Sequence, residues 1–332
     1  MSLLRQGSPA AAAAAPSAAA AAKGRDVPAG RGAGPRSGRL KARTRHRGMG
    51  LLLVTPFTLL FLAFLIAPLC YAFWLSLRTS TLVGGDHFSW FANYKQAFTD
   101  PQFLSGVRRV VVFGLVQIPV MLALALVGAL IIDEVTSRLA KVFRMTLFMP
   151  YAVPAVIGAL MWGFLYSPTF GPVNSISNAL GLGSVNLLSH NLMLTSLGNV
   201  VTWQWTGYNM IVLYAALQGL PREVYEAARI DGASQIQTAL RIKVPMISSA
   251  LVLTLMFTII GTLQFFTEPR VLQPTARSVI TPDYTPNLYA YNLAFQYSEF
   301  NYSAAISFAL GAVVFIGSYI FLFLTRRRSG LK

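Results

Sequence analysis

The sequence predicts an all-α fold, a polytopic membrane protein with six transmembrane helices, and three observations predict it. Of 332 residues, 55% are hydrophobic and only 11% charged. A soluble domain carries roughly 25% charged residues, so this chain lacks the charge to cover a water-facing surface, which argues against a soluble enzyme. Six stretches, 50–77, 110–132, 145–166, 192–217, 246–267 and 303–325, contain no Asp, Glu, Lys or Arg, and each has at least 22 residues. At about 1.5 Å per residue each is long enough to cross a ~30 Å hydrocarbon core. The backbone in lipid must satisfy its own hydrogen bonds, so these stretches read as helices. The third observation is where the charge sits. With a cytoplasmic N-terminus, segments 1–49, 133–144, 218–245 and 326–332 hold 21 Lys and Arg against 6 elsewhere. Basic residues collect on the cytoplasmic side of membrane proteins. That accounts for the formal net charge of +16 without a nucleic-acid partner.

Residues 1–49 are alanine blocks, Gly, Pro and basic residues. Such a composition buries too little apolar area to offset its ordering entropy, so the segment reads as a disordered basic cytoplasmic tail. Pro16 and Ser17 interrupt the alanine-rich 10–22 block, which favours a tail over a cleaved signal. The six-helix transmembrane domain spans 50–325, and 326–332 is a basic cytoplasmic C-terminus. Pro56, Pro68, Pro119, Pro150 and Pro154 lie within or near the spans, where proline favours kinks. The single cysteine, Cys70, allows no intrachain disulfide and makes a cysteine-based metal site unlikely to exist.

The connector 218–245 has the most local order. Pro221 suits a helix start, Glu223 faces the positive end of the helix dipole, and Gly232 suits a left-handed stop. Ser234 is placed to cap a second short helix carrying Ile236 and Leu240, ending at Pro245. An amphipathic connector on the membrane surface is an alternative reading of this pattern.

Glu226-Ala227-Ala228, then Gly232, Ile242 and Val244-Pro245 at their spacing, resemble the EAA loop of bacterial ATP-binding-cassette importer permeases of the carbohydrate-uptake type, as in the maltose and glycerol-phosphate importers. Asn93-Tyr94 with Asp100-Pro101, Phe143-Arg144 to Met149-Pro150, Trp162 and the Asn301–Ser307 run are similar too. Val244 replaces the usual Leu, Arg108-Arg109 replace small or amide residues, and 271–287 lacks the usual Gly-rich segment. The resemblance implies a transport subunit, not an enzyme, in a bacterial plasma membrane. It implies that 218–245 is a coupling helix docking on one of two ATPase subunits, with Glu226, Ala227, Ala228, Gly232, Ile242 and Pro245 as coupling residues. It also implies a second related permease and an extracellular solute-binding protein. No cofactor is expected on this chain; no Gly-Lys pair occurs in it, so the phosphate-binding loop is absent and ATP is used by a partner.

Polar groups inside spans are costly unless used or paired. That makes Gln117, Thr202, Gln204, Trp205, Tyr208 and Asn209 candidate sugar contacts. Helix–helix packing is the competing explanation. Thr202, Trp205 and Asn209 share one helical face, Gln204 and Tyr208 another. The resemblance implies import of a sugar or oligosaccharide by alternating access. The alternatives are another small solute such as glycerol phosphate, with Arg108 and Arg109 near the outer face, or an ion-coupled secondary transporter. The latter usually needs ionisable groups within spans, and none of the six runs has one. His46, His87 and His190 are isolated, which speaks against a metal site or membrane-embedded enzyme.

Overall fold

A computed structural model describes residues 39–81, 84–134, 138–181 and 183–326. The chain divides into two compact units at Leu60, and the core and sites described below belong to the second. Helix α1 (Arg39–Phe61) continues through a π-helical turn, Leu62–Ile66, into α2 (Ala67–Ser76). The helix thus already begins inside the segment expected to be tail. Arg, Lys, Leu and Ala are good helix formers, and extending an existing helix avoids the cost of nucleation. Residues 1–38, the rest of that expected tail, lie outside the described residues.

A short antiparallel hairpin follows, β1 (Arg78–Thr81) with β2 (Gly85–Phe88), Arg78 opposite Phe88 and Thr81 opposite Gly85. The all-α reading is corrected here: the described residues are mostly helical with one hairpin. Strands of four residues, one of them holding Gly, Asp and His, carry too little hydrophobic alternation to be read from sequence. Then come α3 (Ala92–Ala97), α4 (Pro101–Glu134), α5 (Arg138–Ala152), α6 (Ala155–Leu165), α7 (Pro172–Ala179) and α8 (Met193–Gln218). The remaining helices are α9 (Arg222–Ile230), α10 (Gln235–Thr238), α11 (Val244–Met246), α12 (Ser248–Leu263), α13 (Thr267–Leu272), α14 (Pro286–Phe295) and α15 (Phe300–Arg326).

Among the described residues, four helical runs are long and apolar enough to cross a membrane: Met49–Ser76, Pro101–Glu134, Ser248–Thr275 and Phe300–Phe323. A fifth arises if Leu139–Ala152 and Ala155–Leu165, bent by 95°, form one broken span. The expected six is therefore four or five by length and apolarity. The shortfall is α8, a full 26-residue helix whose Thr, Asn, Gln and Trp lower its hydropathy.

Prolines act differently from one site to the next. Pro119 lies inside α4, which runs on as one helix. Pro154 caps the start of α6 at the 95° bend. Pro68 and Pro245 stand just after π-helical turns, Leu62–Ile66 and Ala239–Lys243. A proline ring clashes with the carbonyl four residues back. Those carbonyls, Phe64 and Arg241, lie inside the widened turns, so the helix opens where the ring needs room and Pro245 does not end it.

The buried core follows α4. Near its start Phe103 packs with Tyr289, Leu293, Tyr302 and Ile306. Further along, Phe113 joins Met193, Leu197, Val200 and Phe265. At its end Ala125, Ala129 and Ile132 meet Met210, Leu213 and Leu217 of α8. Ala125 and Ala129, one turn apart, let the two backbones approach closely. Gly207 plays that part against α5, since a Cβ there would overlap the Leu147 carbonyl.

Candidate functional site

The first polar cluster is the connector after α8. Pro221 stands at the N-cap of α9, Glu223 lies in its first turn and Arg229 in its last. The helix ends in a left-handed turn: Gly232 has φ +80°, its N–H donates to the Arg229 carbonyl at 3.1 Å, and the Ala233 N–H donates to the Ala228 carbonyl at 2.9 Å. This is a Schellman-type stop that favours glycine. The Ser234 hydroxyl accepts from the Gln237 N–H at 3.3 Å and the Gln237 side chain accepts from the Ser234 N–H at 2.9 Å, a capping box. Of the expected coupling residues, Ala228 is buried and Ile242 half-buried, while Glu226, Ala227, Gly232 and Pro245 are exposed. A small rigid helix thus presents Glu226 and Ala227 outward.

Sequence reasoning missed what holds this connector. Lys243 is 3% exposed. Its Nζ donates to Asp133 Oδ2 at 2.6 Å and also to Glu134 Oε1. Gln218 at the end of α8 donates to Asp133 Oδ1 at 2.8 Å. The Lys243 ammonium lies 4.7 Å from the Tyr225 ring centroid, and Arg229 pairs with Glu134 at 3.7 Å. Burial works against the charge on Lys243, but its hydrogen bonds to the two carboxylates outweigh that and raise its pKa above the ordinary lysine value. Burial, then the neighbouring Asp133, pushes the Tyr225 hydroxyl up as well. A signal was available: the first charges after the 110–132 run are adjacent acids, and Lys243 directly precedes the 246–267 run.

The second cluster walls a cavity of about 300 Å³ between α4, α8, α12 and the α12–α13 join. Trp205, Tyr208 and Asn209 line it. They share a face, at spacings of three and four along α8, which corrects the expected grouping of Tyr208 with Gln204. The ring of Tyr151 on α5 stacks on Tyr208 at 4.9 Å and meets Trp205 edge-on at 5.4 Å. Asn209 donates to the Trp205 carbonyl at 3.1 Å, so part of its capacity is spent within its own helix.

Gln117, Thr202 and Gln204 do not line the cavity. Gln204, buried, donates to the Val153 carbonyl at 3.1 Å, bracing backbone freed where α5 breaks. Gln117 donates to Met121 Sδ at 3.3 Å and to Thr202 Oγ1 at 3.5 Å. The Thr202 contact joins α4 to α8 and the Val153 contact joins α8 to the α5–α6 break, and the buried side-chain oxygens of Gln117 and Gln204 have no hydrogen-bond partner among the described residues.

The cavity also holds Gln264 and Glu268, which sequence reasoning did not select. Glu268 is 6% exposed and stands within the Ser248–Thr275 run. The uncharged 246–267 stretch itself carries no such group, as expected, and the helical run that holds it goes on through α13, where Glu268 is the second residue. The acid lies one residue beyond the uncharged stretch, and that adjacency was the visible clue. Arg109 donates to the Tyr284 carbonyl at 2.7 Å and stacks on its ring at 4.4 Å, while Arg108 is exposed. No group of three or more His, Cys, Asp or Glu fit to hold a metal occurs among the described residues.

A family model described as the inner membrane component of binding-protein-dependent transport systems matches residues 122–329. That match covers the connector, most of the residues that line the cavity and more than half of the chain. The chain belongs to this family. It is a multi-pass inner-membrane permease in a binding-protein-dependent transport system, and its role is transport rather than catalysis. In this family the permease carries no cofactor and the ATPase is a separate subunit. The permease is similar to the lactose transport system permease protein LacF of Rhizobium radiobacter, 30% identical over 84% of this chain and 94% of LacF. It is similar to the trehalose/maltose transport system permease protein MalF of Thermococcus litoralis, 30% identical over 68% of this chain and 77% of MalF. The arabinooligosaccharides transport system permease protein AraP of Bacillus subtilis is 30% identical over 82% of this chain and 86% of AraP. The fold matches a chain of a bacterial alginate ABC transporter solved with an alginate pentasaccharide-bound periplasmic protein: TM-score 0.76, 22% identity, 88% of this chain and 98% of that one.

Proposed function

We propose that this permease moves a neutral sugar or oligosaccharide, delivered by a solute-binding protein, across a bacterial plasma membrane by alternating access. In this reading the chain has six spans with both termini cytoplasmic. It pairs with a second related permease, and each permease docks its 218–245 connector on one of two ATPase subunits. The observation that carries the reading is the connector's geometry. A nine-residue helix with a glycine stop at its end presents Glu226 and Ala227 to a partner. Such a body transmits displacement instead of bending. Swinging a two-state equilibrium from 1:99 to 99:1 takes about 5.5 kcal/mol of differential binding. Nucleotide binding at the ATPases supplies it, and it reaches the membrane helices through the two connectors.

The cavity supports the substrate class. Trp205 and Tyr208 offer flat apolar faces to sugar CH groups, and Asn209 and Gln264 offer amides to hydroxyls. The relatives named for lactose, trehalose/maltose and arabinooligosaccharides point the same way. Glycerol phosphate fits less well: the cavity carries the carboxylate of Glu268, and Arg109 is already held by Tyr284. The test is ATP-dependent uptake in proteoliposomes holding the full complex and its binding protein. Lactose, maltose, arabino-oligosaccharides and glycerol 3-phosphate are each offered as labelled solutes, and unlabelled glycerol 3-phosphate is added as competitor to the saccharides. Uptake of at least one saccharide, unaffected by glycerol 3-phosphate, is expected. Uptake of glycerol 3-phosphate alone overturns the reading.

A further inference from the structure

Asp133 and Glu134 close a 34-residue helix at its C-terminal end. That is an unfavourable place for acids, because the helix dipole is negative there and the two carboxylates repel. Lys243 is equally badly placed by itself, a 3% exposed ammonium. A buried charge without partners costs several kcal/mol. The three groups are tolerable only together. Lys243 binds both acids, and Gln218 from α8 holds the free oxygen of Asp133. The helix presented to the ATPase is bound into the same knot, through the Tyr225 ring over the ammonium and through Arg229 on Glu134. Four segments therefore meet at one lysine: the end of α4, the end of α8, α9 and the π-helical turn at Ala239–Lys243. Away from the knot, α4 and α8 run to the cavity, where α4 contributes Phe113 and Met121 to the wall and α8 contributes Trp205 and Asn209.

We infer that Lys243 is a positioning residue which locks α9 to the end of α4, so that the two move as one body when the ATPases close. The energetics favour a rigid joint over a hinge. Parting the Ala239–Lys243 turn from α4 strands charge that is shielded from water, and α9 is tied to that turn through the Tyr225 ring over the ammonium and to Glu134 through Arg229, whereas rotation of the whole unit breaks none of these bonds. This rests on the reading of 218–245 as the docking segment.

The test uses the full complex in nanodiscs, with Cys70→Ser as background and spin labels at Ile230→Cys and Leu124→Cys, both exposed positions on α9 and α4. The distance between the labels is measured nucleotide-free and after trapping with ATP and vanadate. One narrow distribution, the same in both states, is expected for the otherwise wild-type chain. In Lys243→Met and in the isosteric Asp133→Asn, the distribution should shift on trapping while the ATPase still co-purifies. The ATP consumed per solute imported should then rise at least about fivefold, the lower end of ordinary site-to-site coupling. Lys243→Arg should restore both readouts, which a merely structural contact would not require. Unchanged distributions in both variants overturn the inference, as does a nucleotide-dependent shift in the wild-type chain. Asp133→Asn keeps the test alive if Lys243→Met fails to insert. Failure of the docking reading shows separately, as no cross-link from Ile230→Cys to the ATPase in the wild-type background, and the inference falls with it.

Discussion

Gly207 and Gly317 lie in the same kind of helix and have opposite tolerances. A Cβ at Gly207 would overlap the backbone carbonyl of Leu147, which cannot rotate away, while at Gly317 it would meet nothing within 4 Å. Gly207→Ala is therefore expected to pry α5 from α8 and to lower the melting temperature of the detergent-solubilised protein by several degrees. Gly317→Ala should match wild type or gain slightly, by about 0.5–1 kcal/mol of helix propensity. Equal melting temperatures for the two variants would contradict this. Asp100 offers a test by pH. Its Oδ2 accepts from Tyr289 at 2.8 Å and Tyr302 at 2.7 Å, and its Oδ1 accepts the Gln102 N–H at 2.8 Å. Burial pushes its carboxyl up, but these bonds outweigh that and hold its pKa below the usual value. A depressed carboxylate stabilises fully above the ordinary pKa of about 3.9, and the stabilisation is lost as pH falls through the lower folded value. Asp100→Asn should thus melt below wild type at pH 7, and the gap should narrow as pH falls below about 4 and close once pH is below the folded value. A gap that persists there would assign the effect to packing. At the cavity, Trp205→Ala removes a large ring face and should cut sugar uptake about tenfold or more, with ATPase co-purification intact. Normal uptake of every saccharide tried would return Trp205 to a packing role.

At the scale of the element, α9 and its stop were legible because their determinants are local: a proline before the first turn, a glycine with φ +80°, a serine with a glutamine three residues on. Gly232→Val places a β-branched residue in left-handed backbone, and Glu226→Ala removes the charge that α9 presents. If α9 docks in a groove with a basic partner, truncating the pair costs on the order of 2–5 kcal/mol. Both variants should insert normally yet lose ATPase recruitment or sugar-stimulated ATP turnover. An amphipathic surface connector would tolerate Glu226→Ala within about 0.5 kcal/mol. Normal co-purification and normal turnover in both variants would therefore favour that connector. The cavity was less legible, because it is set by which face of α8 meets which neighbour. Gln204 and Trp205 are adjacent, yet one braces the Val153 carbonyl and the other lines the cavity. Nothing in composition separates them; the break after α5 does. Lys243 was missed for a similar reason, since its acids are 109 and 110 residues away in sequence.

The number of membrane crossings belongs to the whole molecule, and here hydropathy and architecture disagree for a physical reason. A hydropathy criterion measures how well a helix suits lipid. α8 need not suit it on the faces turned to α4 and α5, where Ser196, Gln204 and Asn209 are buried. Its 26 residues reach about 39 Å, enough to cross. The bent pair poses the reverse problem. At 15 and 11 residues, α5 and α6 reach about 22 Å and 16 Å, each too short for a ~30 Å core. In the proposed six-span topology they form one broken span, in which Gln204 satisfies backbone at the break. Counting α8 and this pair gives six, and an even count returns both termini to one side. The proposed side is the cytoplasm, because 21 of 27 basic residues lie in segments that face it under this topology. Single cysteines in 167–191 and 268–302, placed in a Cys70→Ser background, should therefore react with an impermeant maleimide in intact cells. Ile230→Cys, 87% exposed on the connector, should react only after permeabilisation. A five-span chain, with α8 lying along the surface, would carry the connector and the C-terminus to the face opposite the N-terminus. Labelling of Ile230→Cys from outside, or reporters on the two termini reading opposite compartments, would sink the six-span topology, and with it the placement of α9 against a cytoplasmic ATPase.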